Sequence, residues 1–159
     1  MEATDPTHLG FMRLALAQAE EAASAGEVPV GAVLVRDGRP IALGHNLVME
    51  EASALRHAEM VVLASGARAV GDRVLTGSTL YVTLEPCPMC AGAIILSRVS
   101  RVIFGAPDPK WGSCGSLYNL CVDPRLNHEV EVIPGVLAAD SSELLKSFFA
   151  TRRRDGLSL

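Results

Sequence analysis

The segment Thr79-Leu80-Tyr81-Val82-Thr83-Leu84 runs directly into Glu85-Pro86-Cys87-Pro88-Met89-Cys90. Residues 79–84 predict a buried strand, residues 87–97 a helix and residues 101–104 a second strand. A strand, a helix and a strand in this order predict two parallel neighbouring strands joined by a right-handed crossover. The cysteines are therefore expected at a helix start near one edge of a sheet, where such folds bind ligands.

The other predicted elements also alternate. Apolar residues recur at helical spacing over 9–19, and Gly26 ends that segment. Asp37-Gly38 is a strong hairpin turn between strands at 30–35 and 40–44. We expect a helix at 57–67, a Gly/Pro-rich loop at 105–115, a strand at 129–133 and an amphipathic helix at 141–153, capped by Ser141 or Ser142. This order predicts an α/β fold in which helices enclose a mixed five-stranded sheet, as a single domain over 1–159.

Composition and charge exclude several classes of protein. The 159 residues are 49% hydrophobic, which is unlike a disordered chain, and no run is long enough to span a membrane. A net charge of −4 argues against non-specific binding to polyanions over the whole surface. Residues 1–6 lack the basic start and apolar stretch of a secretion signal, so we expect a cytoplasmic protein. Cys114 and Cys121 then need not form a disulfide and are expected to be small buried apolar residues.

Two short motifs carry the chemistry: His57-Ala58-Glu59 and Pro86-Cys87-Pro88-Met89-Cys90. Catalytic zinc sites use three protein ligands and leave the fourth position to water, and His57, Cys87 and Cys90 supply three. Pro86 fits the residue that enters the helix. His57 and Glu59 would project about 200° apart within a helix, but at a helix start both can border one cavity. Glu59 would then contact the water and not the metal.

A Cys-x-x-Cys alone is also compatible with a redox pair, half of a structural zinc finger or two buried thiols. His-x-Glu combined with Pro-Cys-x-x-Cys is the known signature of zinc-dependent nucleobase deaminases, in which the Glu is a general acid and base. The combination therefore favours a hydrolytic zinc site over the other interpretations.

Matching motifs continue along nearly the whole chain. They are Glu27-Val28-Pro29-Val30-Gly31-Ala32, Gly44-His45-Asn46, Thr83-Leu84-Glu85-Pro86-Cys87, Cys90-Ala91-Gly92-Ala93, Phe104-Gly105-Ala106 with Asp108, Gly115-Ser116-Leu117, Asn127-His128 and Phe148-Phe149. The chain thus resembles the cytidine deaminase-like superfamily and, within it, the bacterial tRNA adenosine deaminases. Residues 105–117 and the last helix narrow the resemblance to tRNA editing. It implies the three-layer α/β/α sandwich of that superfamily.

The resemblance also implies an activity. A zinc-activated water attacks C6 of a flipped-out wobble adenosine in a tRNA anticodon loop, ammonia leaves, and inosine forms. His57, Cys87 and Cys90 would hold one zinc ion per subunit. Glu59 would take the proton of the water, pass it to N1 and later protonate the departing amine. The implied partners are a tRNA anticodon stem-loop and a second copy of the chain, with no membrane and no organic cofactor.

Further residues are carried over from the family as substrate contacts. The base would meet Asn46, the pocket wall near Val30 and Ala32, and backbone groups of Ala58 and Leu84. The RNA would meet Asp108, through sugar hydroxyls, and Phe149, Arg152 and Arg153 on the last helix. Other interpretations stay open for several of these residues: a turn residue for Asn46, a loop residue for Asp108, core packing for Phe149, and a solvated cluster that complements the helix dipole for the arginines.

Three departures from the family pattern affect the expected substrate. The run before His57 is Ser53-Ala54-Leu55-Arg56, Trp111 replaces a small residue, and Pro88 gives a motif also frequent in guanine and cytosine deaminases. A free guanine, cytosine or nucleotide deaminase with the same zinc mechanism is therefore the alternative function. Arg56 could contact a phosphate or solvate a loop, and Trp111 could stack on a base or pack against a subunit.

A third hypothesis is a non-catalytic module. In that case zinc would be structural, with His45 or His128 as the fourth ligand. Glu85 is expected to be a structural partner, with a second catalytic carboxylate as the alternative.

Overall fold

The computed structural model describes residues 3–156. Met1, Glu2 and residues 157–159 of the predicted domain lie outside the described residues. The start of the 1–6 segment, which lacks the features of a secretion signal, lies outside them too. Its elements are α1 (Pro6–Ser24), β1 (Gly31–Arg36), β2 (Arg39–His45), α2 (Ala58–Val70), β3 (Ser78–Leu84), α3 (Pro88–Leu96), β4 (Arg101–Ala106), a 3-10 helix (Leu120–Val122), β5 (Glu131–Ile133) and α4 (Ala138–Arg154). Each predicted helix and strand is present, with ends shifted by a few residues.

The sheet is mixed, as predicted, with the strand order β2-β1-β3-β4-β5. β1 runs antiparallel to β2 and β3, whereas β3, β4 and β5 are parallel to one another. Asp37 and Gly38 both have positive φ, at 51° and 73°, which is the backbone of a two-residue hairpin turn that suits the twist of the strands. The predicted parallel pairing of the third and fourth strands is confirmed by a register that pairs Leu84 with Ala106.

Helices cover both faces of the sheet. Val33, Tyr81 and Ile103 pack with residues of α1 on one face, and the alternate residues of the same strands pack with α2 and α3 on the other. Gly31 permits close contact between the layers, because a Cβ at this position would collide with the backbone carbonyl of Ala15 in α1. The predicted three-layer α/β/α sandwich is therefore confirmed.

The start of α4 differs from the prediction. The helix begins at Ala138, and its N-cap is Leu137, whose φ is 53°, with no side-chain cap hydrogen bond. The predicted cap at Ser141 or Ser142 is wrong: Ser141 lies inside the helix and is buried. Burial of Val136 in the core beneath α1 fixes the entry of the chain into the helix, and this packing overrides the local preference of serine for the cap.

Cys114 and Cys121 are free thiols in the core that faces α2 and α3. Their sulfurs are 3.6 Å apart, and both side chains are buried, as the sequence predicts for small apolar residues. Among the described helices, none combines the length and the apolar character that crossing a membrane requires.

Candidate active site

The N-termini of α2 and α3 meet at the edge of the sheet where β3 ends. His57 is the N-cap residue of α2 and Cys87 is the N-cap residue of α3, both with extended backbone, and Cys90 lies in the first turn of α3. Nδ1 of His57 is 3.5 Å from Sγ of Cys87 and 3.5 Å from Sγ of Cys90. The structure thus brings the three predicted metal ligands together at one point. Pro88, and not Pro86, occupies the first helical position.

These three side chains suit zinc. Two thiolates and one imidazole are the donors that zinc prefers, and their ligand atoms all lie within 4.8 Å of one another. In the part of the chain that the structure describes, the metal-binding group comprises His57, Cys87 and Cys90 and has no fourth member. His45 instead contacts the backbone oxygen of Asn46, and His128 that of Val99. Three protein ligands are the number used at catalytic zinc sites, whereas structural sites use four.

The surroundings favour the metal-binding form of Cys87. The hydrogen bond from the Cys90 thiol, together with the hydrogen bond from His57, lowers the pKa of Cys87 to about 4. Cys87 is therefore a thiolate at neutral pH, the form in which sulfur binds metals. The N-terminus of α3 adds the positive end of the helix dipole at the same place.

Glu59 lies in the first turn of α2 and is 4% exposed. Its burial raises the pKa of the carboxyl group above the ordinary value, which suits a group that must both accept and donate protons. Because His57 caps the helix and is not part of it, the angular separation expected within a helix does not apply. His57 and Glu59 border the same cavity, as the sequence predicted.

Two neighbouring cavities open beside the predicted metal ligands. The inner cavity, of about 300 Å³, is lined by Glu27, Val28, Val30, Asn46, Val48, Met49, His57, Glu59, Leu84 and Glu85. The outer cavity, of about 450 Å³, is lined by His57, Leu84, Glu85, Cys87, Pro88, Met89, Asp108 and Trp111. They share His57, Leu84 and Glu85, so the two cavities are direct neighbours.

Asn46 is held firmly at the inner cavity. Its Oδ1 accepts a hydrogen bond from the backbone N–H of Ala58 at 2.9 Å, and its Nδ2 donates to the carbonyl of Val28 at 3.2 Å. The amide keeps one further hydrogen and one lone pair for a ligand. The N–H of Ala58 is occupied by Asn46, and the Ala58 side chain is fully buried.

The other predicted substrate residues divide between the cavities and the rest of the molecule. Val30 and Leu84 border the inner cavity, and Asp108 borders the outer one. Ala32 is fully buried in the core within β1. Phe149, Arg152 and Arg153 lie on α4 and line neither cavity.

Arg152 has partners within the chain. Its guanidinium group donates a hydrogen bond to the carbonyl of Gly26 and lies 4.9 Å from the centre of the Phe148 ring. The hydrogen bond to Gly26 ties α4 to the segment that follows α1, whereas Phe148 lies on α4 itself. Arg153 is exposed. Arg56 pairs with Glu51.

The sequence did not single out Glu27, although the residue falls within a family motif. It is 1% exposed and accepts hydrogen bonds from the backbone N–H groups of Met49, at 2.9 Å, and Glu50, at 2.8 Å. The available signal was the position of this acidic residue at the start of an apolar run. A carboxylate that is buried with such a run requires hydrogen-bond donors, which indicates a structural role.

Glu85 has the structural role expected from the sequence. Burial acts to raise the pKa of its carboxyl group, but hydrogen bonds from the Ser116 hydroxyl and from the backbone of Ser116, Asp108 and Cys114 outweigh burial and lower it. Glu85 is therefore ionised at neutral pH.

Comparison with known proteins agrees with this geometry. Residues 6–106 match the family described as the cytidine and deoxycytidylate deaminase zinc-binding region. A tRNA-specific adenosine deaminase of Bacillus subtilis (strain 168) is 50% identical over 144 residues, which cover 91% of this chain and 89% of that protein. The chain belongs to the family of tRNA-specific adenosine deaminases. Membership confirms the resemblance inferred from the sequence and identifies the chain as a zinc-dependent deaminase.

Two further members of this family agree. A tRNA-specific adenosine deaminase of Haemophilus influenzae (strain ATCC 51907 / DSM 11121 / KW20 / Rd) is 48% identical over 146 residues, with 91% of this chain and 84% of that protein covered. A structure solved in a study of A-to-I editing by tRNA:A34 deaminases at the wobble position is 43% identical, with a TM-score of 0.83 over 86% of this chain and 99% of that one. The cytidine deaminase-like fold is thereby confirmed.

Proposed function

We propose that this protein deaminates the wobble adenosine of a tRNA anticodon loop to inosine. The observation that carries the proposal is the meeting of His57, Cys87 and Cys90 beside the buried Glu59, at a cavity that Asn46 also borders. The named activity of the related deaminases supports adenosine in tRNA as the substrate. An anticodon loop is single-stranded, so moving one base out of the stack into a cavity requires little free energy.

The three ligands and Glu59 divide the chemistry. Zinc held by His57, Cys87 and Cys90 would lower the pKa of a bound water to about 7 and so supply a nucleophile at neutral pH. Glu59 takes the proton that the attacking water loses and passes it to N1 of adenine. After water adds at C6, Glu59 takes the second proton from the new C6 hydroxyl and passes it to the amino group; the C6–N bond breaks, ammonia leaves, and C6 becomes the carbonyl of inosine. Burial keeps bulk water from exchanging that proton during the reaction.

The inner cavity holds the base. Val30 and Leu84 supply apolar contacts to its faces, and the spare N–H and lone pair of Asn46 hydrogen-bond its edge. Because both ends of the amide are bonded to backbone, Asn46 is ordered before the substrate arrives. Ala32 and Ala58 contribute through packing behind this wall.

The RNA on either side of the base extends over the outer cavity. Asp108 hydrogen-bonds sugar hydroxyls there, since a carboxylate would repel phosphate. Phe149, Arg152 and Arg153 contact the RNA farther away, along α4. Of these, Arg153 is fully available, whereas Arg152 also holds Gly26.

Replacing the two arginines singly separates their roles. Arg153→Ala should weaken RNA binding for all sequences and reduce the slope of log Kd against log salt by about 1. Arg152→Ala should in addition lower the melting temperature, because the contact with Gly26 is lost. If neither variant changes the salt dependence, the cluster on α4 does not contact RNA.

We further infer a cytoplasmic homodimer. Large apolar side chains are exposed at the end of α3 and along the segment that follows Cys114; they are Leu96, Leu117, Tyr118, Val122 and Leu126. The 3-10 helix of this segment contacts α3, so the exposed residues belong to one side of the molecule. Exposed apolar surface of this kind favours association with a second copy. Leu96→Glu should yield a monomer in sedimentation equilibrium, and an unchanged mass would contradict the dimer.

The decisive experiment is mass spectrometry of an anticodon stem-loop carrying a wobble adenosine, incubated with the enzyme beside free adenosine, cytosine and guanine. Inosine should form in the RNA alone and should be absent with Glu59→Ala, which must retain its zinc. Turnover of a free base with untouched RNA would keep the zinc mechanism and replace the substrate by that of the guanine or cytosine deaminases. Absence of any deamination would favour a non-catalytic module.

A further inference from the structure

Glu85 lies between the two cavities and is 2% exposed. Its Oε1 accepts hydrogen bonds from the backbone N–H of Asp108, at 3.0 Å, and from the hydroxyl of Ser116. Its Oε2 accepts from the backbone N–H groups of Cys114, at 3.1 Å, and Ser116, at 3.0 Å. All four donors belong to residues 107–119, which we call the outer loop.

This carboxylate has no capacity left for a substrate. Two carboxylate oxygens offer about four lone-pair positions, and the outer loop uses all four. Glu85 therefore differs in role from Glu59, which borders the same inner cavity and for which we propose proton transfer. A group in this state holds other residues in place and does not transfer protons.

We propose that Glu85 is a positioning residue that shapes the outer cavity by fixing the outer loop, and thereby sets how tightly the RNA beside the target base is bound. This inference rests on the proposed function for its substrate. Asp108 and Trp111 both border the outer cavity and both lie on the loop that Glu85 holds. Because the four hydrogen bonds reach both ends of the 108–116 segment, Glu85 restrains where this segment begins and ends beside the outer cavity.

Gly112 provides independent support. A Cβ at this position would collide with the carboxylate of Glu85 and with the carbonyl of Asp108. The same residue lies within the turn, where its N–H donates to Asp108 O at 2.9 Å and its carbonyl accepts from Leu117 at 2.9 Å. The outer loop is thus wrapped closely around the carboxylate, with glycine at the point of nearest approach.

A glutamine at position 85 would keep the shape of the side chain but could not accept all four hydrogen bonds from the outer loop. Its NH₂ group would face at least one backbone N–H in either orientation, because Oε1 and Oε2 each accept from a backbone donor. At least one buried donor would lose its acceptor, which destabilises that arrangement of the loop. The metal ligands are placed by α2 and α3 and should keep their positions.

The test compares Glu85→Gln with Glu27→Gln. Glu27 is the matched control, since it is equally buried and also accepts hydrogen bonds from backbone N–H groups, but those of Met49 and Glu50. For Glu85→Gln, amide exchange should accelerate about tenfold or more within residues 108–116 and remain unchanged at 49–50. For Glu27→Gln, the pattern should be reversed.

Kinetics on the anticodon stem-loop complete the test. Glu85→Gln should raise KM about tenfold while zinc content is unchanged and kcat changes less than about threefold. Loss of kcat with unchanged KM and retained zinc would make Glu85 part of the chemistry and overturn the proposal. Unchanged exchange in residues 108–116 would also overturn it.

A milder variant covers the case in which Glu85→Gln does not fold. Ser116→Ala removes only the hydroxyl donor, so KM should rise about twofold to fivefold with the same pattern of exchange. Exchange and zinc content need no substrate. If wild-type protein never deaminated RNA but the exchange results held, the proposed function would fail while the role of Glu85 in fixing the loop would stand.

Discussion

Two loops line the site, one at each cavity, and each is held by one buried carboxylate. The inner wall, residues 47–56, is fixed by Glu27 and presents Val48 and Met49 to the inner cavity beside Asn46. The outer wall is the outer loop, which Glu85 fixes and which presents Asp108 and Trp111. The inner wall offers apolar surface beside Glu59, whereas the outer wall offers a carboxylate and an exposed indole. Under the proposed function, the same kind of anchoring would serve orientation of the base at the inner wall and contact with the flanking RNA at the outer wall.

The largest effect is expected from removing a ligand of the proposed zinc site, which consists of His57, Cys87 and Cys90. Cys90→Ala should lose zinc and reduce deamination by at least about a thousandfold, because water is then no longer activated. Zinc content by mass spectrometry and inosine formation are the measurements. Cys121→Ala is the control: it also removes a buried thiol but lies outside the metal-binding group, so it should retain zinc.

The next largest effect should come from the inner wall. In either orientation Glu27→Gln would set its NH₂ group against the backbone N–H of Met49, which would loosen the surface that we propose aligns the base with Glu59. We expect kcat to fall about tenfold to a hundredfold with little change in KM, the opposite of Glu85→Gln. Single-turnover kinetics distinguish the two. If both variants changed KM alone, the functional difference between the walls would be disproved.

Trp111→Ala tests whether the outer wall contacts a base of the RNA. The side chain is 64% exposed beside the outer cavity, and stacking on one base contributes about 1–3 kcal/mol. KM for the stem-loop should rise about fivefold or more at unchanged kcat, and Trp111→Phe should restore most of the affinity. A shift in sedimentation toward the monomer with unchanged KM would instead mean that Trp111 packs against a subunit.

A change on the far face of the sheet should affect neither wall. His8 is buried in α1 with Nδ1 2.8 Å from the Tyr81 hydroxyl, and burial lowers the pKa of His8 below its ordinary value of 6.5. The unfolded chain then binds a proton more readily than the folded chain, so stability falls as the pH falls through about 6.5. His8→Gln should reduce the loss of melting temperature between pH 7.5 and 5.5. Altered KM or zinc content in this variant would show that the walls are not independent of that face.

The proposed zinc site could be predicted from sequence because short-range rules place its two cysteines together, and because the known pairing of the His-x-Glu and Pro-Cys-x-x-Cys motifs adds His57, 30 positions before Cys87. Cys87 and Cys90 are one helical turn apart at a helix start, and β3, α3 and β4 form one crossover unit that directs this start to the edge of the sheet. The strands followed in the same way from apolar runs and turn residues.

What the sequence did not provide depends on contacts between distant residues. The donors that Glu85 binds are 23 to 31 positions away, and those of Glu27 are 22 and 23 positions away. Ala32 lies two residues after Val30, which borders the inner cavity, but Ala32 itself is covered by the core. The prediction of the α4 N-cap was wrong for the same reason, since burial of Val136 decides where the helix begins.

The four residues at the exit of β3 have a consequence for insertions and deletions. Leu84 borders both cavities, Glu85 holds the outer loop, Pro86 accepts a hydrogen bond from the backbone N–H of Ser113 through its carbonyl, and Cys87 belongs to the proposed zinc site. Adding or deleting one residue here would move all four functions together, and no side-chain change elsewhere could compensate for each of them. Length variation in this chain should therefore be tolerated at the exposed hairpin turn Asp37-Gly38, which borders neither cavity, and should abolish activity at residues 84–87.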